Sequence, residues 1–339
     1  MPGKQPISAA VTSTELLEDF ERALAHPNEI FGYGRYGDGK RWAVLDELTG
    51  GLQGRTFTVL ASRPKVGKSM LASAWVPFIA EQALMEERVV RIVSLEMSRK
   101  AYQRRMAAIM AGIKDPKAIR KGTLDKLEQR RYRSALAQLA ALPIEYLAVE
   151  KALTEEEALK YGNSPITFKD VEAFIQGPRP TNTFWWMLDH IGLLNDLDGP
   201  GGGDMNRSIY TLANKLAGLA HKVAAGLIIT HLNRASVGGM PSIESIAGSD
   251  QVGRNADQIF LLTRPFFELG ELSEEDQAII DEGEPAFLKF ISRDEGSGMD
   301  VLLWDKERAT FDEMQLAPGA KVRMPGSRTG TGPARRGRR

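Results

Sequence analysis

The sequence contains no cysteine, carries no net charge and has no long apolar run. Without cysteine there is neither a disulfide nor a zinc–thiolate centre, a composition that fits an intracellular protein. Lys+Arg 44 against Asp+Glu 44 excludes a uniformly basic nucleic-acid coat. No apolar stretch approaches the roughly 20 residues that cross a bilayer, so neither a membrane span nor a secretory signal is predicted. What remains is a globular chain of 339 residues, long enough for one large or two ordinary domains. Its charge is unevenly spread. Residues 99–133 hold twelve bases and three acids, residues 266–285 hold eight acids and no base, and the last 21 residues hold seven bases and no acid. Such local patches can attract nucleic acid although the total is neutral.

One more absence sits inside the most informative stretch. Thr56-Phe57-Thr58-Val59-Leu60-Ala61 reads as a buried strand and Met70–Trp75 as a helix start, with Ser62-Arg63-Pro64-Lys65-Val66-Gly67-Lys68-Ser69 between them. Strand, tight loop, Gly-Lys-Ser and helix form the context of a phosphate-binding loop. The first helical turn offers unsatisfied N–H groups and the positive end of the dipole to an anion. Gly67 would admit the phosphates close to the backbone, Lys68 would neutralise their β/γ oxygens, and the Ser69 hydroxyl would ligate Mg²⁺. Ser62, however, stands where the pattern G-x-x-x-x-G-K-[ST] has its first glycine. An ordinary strand-to-helix turn therefore stays open on the octapeptide alone.

Further apolar runs end in polar residues that would lie at the ligand edge of an α/β sheet. Val89–Leu95 ends in Glu96, either a base for an attacking water or an acid near the next helix start. Phe184–Leu188 ends in Asp189, placed to hold a Mg²⁺ shell. Leu227–Thr230 ends in His231, structural or functional. Between these runs, residues 99–142 predict two basic amphipathic helices divided near Asp115-Pro116. Phe168–Ile175 predicts a short helix, and 208–224 predicts one with Ile209, Leu212, Leu216 and Leu219 on one face. Ile259–Arg264 is another strand. Residues 266–285 read as an acidic surface insertion, and 286–291 with 301–304 as a hairpin. An amphipathic helix over 12–26, a Gly-rich linker over 27–41 and a Gly/Pro/Arg-rich disordered tail from 317 complete the chain.

Taken together, these motifs resemble the RecA-like motor domain of DnaB-type hexameric replicative helicases, including the phage primase-helicases, over residues 41–312. Leu48-Thr49-Gly50-Gly51-Leu52 with the loop at 61–69 looks like that family's entry and phosphate loop, where the first glycine is commonly missing and Arg-Pro occurs. Ser94-Leu95-Glu96-Met97 matches the segment whose Glu is the catalytic base, Asp189 the Mg²⁺-linked acid, and Thr230-His231-Leu232-Asn233-Arg234 the γ-phosphate sensor strand. Arg293 matches the arginine finger that reaches a neighbouring subunit's nucleotide. By similarity to the phage enzymes, Arg264 and Trp304 would flank the nucleotide base, with plain hairpin core as the alternative for Trp304.

The resemblance implies a RecA-like P-loop NTPase core of mostly parallel sheet flanked by helices with a C-terminal β-hairpin. It implies a linker helix and loop over 1–40, a motor domain over 41–316 and a basic tail over 317–339. It also implies an ATP-driven (or other NTP-driven), Mg²⁺-dependent helicase, moving 5′ to 3′ on single-stranded DNA as a homo-oligomeric ring, with a hexamer expected. Primase, loader and polymerase are its candidate partners. Loops at 196–207 and 235–250 would line the channel, with Arg207, Arg234, Gly248, Ser249 and Arg254 touching DNA. The chain departs from the family in three ways. It has no room for a helical N-terminal domain or a primase. Ile291 replaces a lysine two residues before the finger, with Lys289 nearby. Ser245-Ile246-Ala247-Gly248-Ser249-Asp250 replaces an Asp-Leu-Arg-x-Ser-Gly contact motif. A recombinase or regulatory ATPase of the same fold and a non-catalytic loader or cap are the competing functions.

Overall fold

The computed structural model describes residues 32–33, 42–52, 54–149, 165–178, 182–194, 205–233, 240–246, 250–269, 283–293 and 296–314, with isolated helical positions at 274, 277 and 280. The expected N-terminal helix, the tail, and Arg234, Gly248 and Ser249 lie outside them.

A short helix α1 (Ala43–Thr49) leads to strand β1 (Phe57–Ser62), whose six residues are all buried. Helix α2 (Lys68–Met85) follows, then β2 (Val89–Ser94). Next come α3 (Arg99–Met110), α4 (Pro116–Lys121), α5 (Lys126–Ala141) and β3 (Ile144–Ala148). Helix α6 (Phe168–Gln176) precedes β4 (Thr183–Asp189), and α7 (Met205–Lys222) precedes β5 (Ala225–His231). The last elements are α8 (Asp250–Asn255), β6 (Gln258–Thr263), α9 (Pro265–Leu269), β7 (Glu284–Ser292), β8 (Gly296–Asp305) and β9 (Thr310–Glu313).

The strands form one sheet in the order β3-β2-β4-β5-β1-β6-β7-β8-β9. The first six are parallel and the last three are added antiparallel. Both faces are covered, which is why the central strands are apolar at nearly every position. The pleat sends alternate residues to opposite faces. Leu60, Trp185, Met187, Ile229 and Phe260 join the core beneath α2 and α3. Val59, Ala61, Trp186, Leu188 and Ile228 join the core beneath α6 and α7. Trp186 also fixes a glycine: a Cβ on Gly226 would lie 2.1 Å from its indole.

The basic stretch folds as three helices rather than two. Asp115 caps α4 with Pro116 behind it, as expected, but Gly122 in the left-handed region then ends that helix. Asp125 starts α5 with a capping box to Glu128. The hairpin gains a third strand, β9, which the sequence reading does not contain. Two residues of the expected linker belong to the core. Tyr33 is 2% exposed and packs against Trp75 and Phe260, and the Gly32 amide donates to Gln82 Oε1 at 2.7 Å.

Candidate nucleotide site

Parallel strands all present their C-terminal ends at one sheet edge, and that edge gathers the candidate residues. Ser62 pairs in register with His231, and Ser94 with Asp189. From β2 to β1 the edge therefore reads Glu96, Asp189, His231 and then the loop 62–69. The loop turns through two left-handed residues, Lys65 (φ 67) and Gly67 (φ 118), before α2 begins at Lys68. Gly67 has no room for a side chain, since its Cβ would meet the Phe311 ring of β9 at 2.8 Å. Pro64 and Lys65 are exposed, whereas Ser62 and Val66 are fully buried.

Lys68 is buried, and its ammonium donates to His231 Nδ1 at 3.1 Å. Burial lowers its pKa, opposed by the negative charges of Asp189 and Glu96. Because Nδ1 accepts, the His231 proton sits on Nε2. Burial and then the Lys68 charge hold the His231 pKa down to about 4, so the ring is neutral at ordinary pH. His190, the residue after Asp189, stands edge-on to His231 with ring centroids 4.7 Å apart and is likewise held down to about 4. Sequence reasoning missed it. Its only signal was its place directly after a strand-terminal acid.

Asp189 is 0% exposed, and neither carboxylate oxygen has a hydrogen-bond partner among the described residues. Burial raises its pKa, and the opposing influences are the Ser69 hydroxyl, Lys68 and Arg105. Glu96 is exposed and acts on Lys68, Asp189 and His231 through its charge. A buried carboxylate with unused oxygens, facing a hydroxyl at a helix start, suits a hydrated Mg²⁺ that also bonds phosphate. No group of three or more His, Asp or Glu side chains among the described residues could hold a metal by itself.

Other candidates are placed differently. Arg63 is ion-paired with Glu268 of α9. Arg264 is 6% exposed, ion-paired with Glu284 at 2.5 Å, and its guanidinium carbon lies over the rings of Trp304 (4.3 Å to the centroid) and Phe267 (4.6 Å). Arg264 and Trp304 thus lie against each other, the two side chains that the resemblance places around the nucleotide base. Trp304 is also partly buried against the core. Glu268 and Glu284, expected on an acidic surface, are instead the inner counter-ions of two arginines beside the loop. Arg293 lies at the opposite sheet edge. Its amide donates to Asp257 O, its Nη2 donates to the carbonyl of the exposed Arg254 at 2.7 Å, and its Nη1 is 3.5 Å from Asp257. The length of β6, roughly 20 Å at about 3.3 Å per residue, separates it from its own phosphate loop. Arg207 is in the first turn of α7.

Comparison with known proteins adds the lineage. The model of the DnaB-like helicase C terminal domain matches residues 40–284. The chain belongs to the DnaB-like helicase family. A replicative DNA helicase DnaB of Treponema pallidum (strain Nichols) is 24% identical over 234 residues, covering 65% of this chain and 46% of that protein. Its counterpart in Synechocystis sp. is 26% identical over 194 residues, covering 56% of this chain and 20% of that protein. The DnaB-like chain thus spans less than half the length of these curated relatives. Among solved structures, an isolated ATPase domain superposes with TM-score 0.68 at 18% identity, covering 91% of this chain and 100% of that one. A DnaB-like replicative helicase, solved with its interactions with primase, superposes with TM-score 0.67 at 18% identity, covering 90% and 67%. These likenesses bear out the RecA-like fold with its mostly parallel sheet. The family match ends before Arg293 and Trp304.

Proposed function

We propose that this chain is the motor of a replicative helicase that hydrolyses ATP to move 5′ to 3′ along single-stranded DNA as a ring. The observation that carries the reading is the meeting of Lys68, Glu96, Asp189 and His231 at one sheet edge, with Arg293 at the other. In this reading Lys68 leaves His231 Nδ1 for the β/γ-phosphate oxygens, and the N–H groups at the start of α2 hold the β-phosphate. Ser69 and Asp189 would hold Mg²⁺, which when bound would supply neutralisation of the phosphate charge. Glu96 orients the attacking water and takes its proton as the water oxygen bonds to the γ-phosphorus. The bridging P–O bond breaks toward ADP, releasing phosphate. The neutral His231 donates from Nε2 to the γ-phosphate.

From His231 the strand continues into backbone contacts with the segment before residue 247. Leu232 bridges Ile246, and the Asn233 amide donates to Ser245 O at 2.7 Å. Through them the state of the nucleotide reaches the loop proposed to touch DNA, where Gly248, Ser249, Arg234 and Arg254 act together with Arg207. Arg293, too far from its own site, serves the next protomer's nucleotide, so the ring completes each active centre. The segment over 12–26 docks on that neighbour. A primase is the partner that the family suggests for the assembled ring.

The test is ATP hydrolysis with and without single-stranded DNA by the wild type and Glu96→Gln, followed by unwinding of forks with either tail polarity. DNA-stimulated turnover lost in Glu96→Gln, with unwinding from a 5′ tail, is expected. A wild type without turnover would end the motor reading, and turnover without unwinding would favour a recombinase or regulatory ATPase.

A further inference from the structure

Arg293 rests in a seat built by its own subunit. Its Nη2 donates to the carbonyls of Arg254 (2.7 Å) and Ala256 (3.4 Å), in the last turn of α8 and just past it, and its Nη1 lies 3.5 Å from Asp257 Oδ1. We infer that Asp257 is the positioning residue of this arginine, and that the seat ties it to both segments read as lining the channel. The inference rests on the reading of Arg293 as the group that completes the next protomer's site.

The Asp257 carboxylate is itself fixed. Asp257 stands directly before β6, and its amide donates to Phe57 O while its Oδ2 accepts the Phe57 amide at 2.8 Å, a two-way clasp on the start of β1. The same Oδ2 is 2.7 Å from His221 Nε2, in the last turn of α7. A carboxylate oxygen accepts, so His221 donates. With Oδ2 committed to two donors, Oδ1 is the oxygen turned toward Arg293. The Arg293 amide donates to Asp257 O at 3.0 Å, so one residue holds both the backbone and the head of the other.

Two helices converge on this seat. Helix α7 begins within the segment 196–207, and its far end supplies His221. Helix α8 begins at the end of the segment 235–250, and its far end supplies the Arg254 carbonyl. Asn255 Nδ2 of α8 donates to Asn214 Oδ1 of α7, which ties the two together. At roughly 1.5 Å per residue, the 18 residues of α7 carry a displacement over about 27 Å. Rigid helices transmit such shifts, so DNA held by either segment would act on the seat of Arg293. The head stays usable: its side chain is 50% exposed, and a guanidinium has more N–H groups than the seat occupies. A donor held in its working geometry beforehand meets developing phosphate charge without reorganising. DNA on one protomer would thus set the arginine that serves the next.

The experiment measures DNA-stimulated ATP hydrolysis by the assembled full chain as wild type, Asp257→Asn, His221→Gln, Arg293→Ala and each of the first two combined with Arg293→Ala. Asp257→Asn should lower kcat about 10- to 100-fold while KM for ATP shifts less than about threefold. His221→Gln, an exposed position that does not touch β1, should lower kcat about three- to tenfold by loosening the carboxylate. In the Arg293→Ala background either change should cost less than about twofold, because an absent arginine cannot be misplaced. Mixing Asp257→Asn with Glu96→Gln subunits should restore part of the turnover, since the intact arginine of one serves the intact site of the other. Unchanged kcat in both single variants, a further loss of about tenfold in the combined ones, or no recovery on mixing would overturn the inference and leave Asp257 a clasp on β1. An Arg293→Ala protein with wild-type turnover would instead overturn the reading of Arg293 itself.

Discussion

Replacing Asp189 by Asn should stabilise the free protein while abolishing its ATP turnover. The carboxylate is 0% exposed with both oxygens unpartnered among the described residues, and burial raises its pKa despite Ser69, Lys68 and Arg105. The unfolded chain hydrates this group, so burying it costs folding free energy. The folded pKa lies above the unfolded value of about 3.9, so the folded state keeps the proton longer as pH rises. The cost is therefore absent below about pH 3.9 and complete above the folded pKa. Asn keeps the shape and removes the charge, but its amide still lacks partners and Lys68 loses a counter-charge. A net gain of about 1 kcal/mol follows from setting an unpaired buried charge against an unpaired buried amide. That corresponds to a melting temperature higher by about 2–4 °C. Thermal melts at pH 7.5 without nucleotide should show the gain, and melts near pH 4.5 should show it shrinking. Adding Mg²⁺ and ATPγS should stabilise the wild type more than the variant. An Asp189→Asn protein less stable than wild type at pH 7.5 without nucleotide would refute the reasoning, because the carboxylate would then have a strong partner.

Three other outcomes can be measured. Gly67→Ala forces a φ of 118 on alanine and drives its Cβ into Phe311, so urea unfolding should show a loss of about 2–4 kcal/mol, with Phe311→Leu in the same chain recovering only the steric part. Arg293→Ala removes a half-exposed side chain and should cost under about 1 kcal/mol of stability. Turnover by the assembled protein should nevertheless fall about 10³–10⁵-fold, with partial recovery on mixing with Glu96→Gln subunits marking action between protomers. Asp300, buried beside Glu313, has its pKa pushed up to about 8 by burial and by that neighbouring carboxylate. Wild-type stability should therefore decline as pH rises from about 4 through 8, and Asp300→Asn should flatten that decline in melts across the range.

Much of the fold was legible because parallel strands buried on both faces leave unbroken apolar runs. The runs ending in Glu96, Asp189 and His231 were visible in this way, as were the helix after the phosphate loop, read from Met70 and found to begin at Lys68, and the division at Asp115-Pro116. The break before Asp125 was also written in the sequence, as Gly122 followed by a capping box, but the long basic run disguised it. Strand β9 was too short, at four residues, to announce itself. Its Phe311 nevertheless closes over Gly67.

The sequence by itself determined the order of the chemical groups and the strand ends that carry them, because local pattern sets strand and helix and a strand's end sets the ligand edge. Only the tertiary structure decided which groups meet. Register put His231 beside the phosphate loop and against Lys68, with His190 against His231. The antiparallel return of β7 carried Arg293 to the far edge. Folding of the acidic segment back onto the core turned Glu268 and Glu284 into buried partners of Arg63 and Arg264. Those outcomes depend on contacts between residues tens to hundreds of positions apart. Composition and periodicity report only near neighbours along the chain, so neither could reveal them.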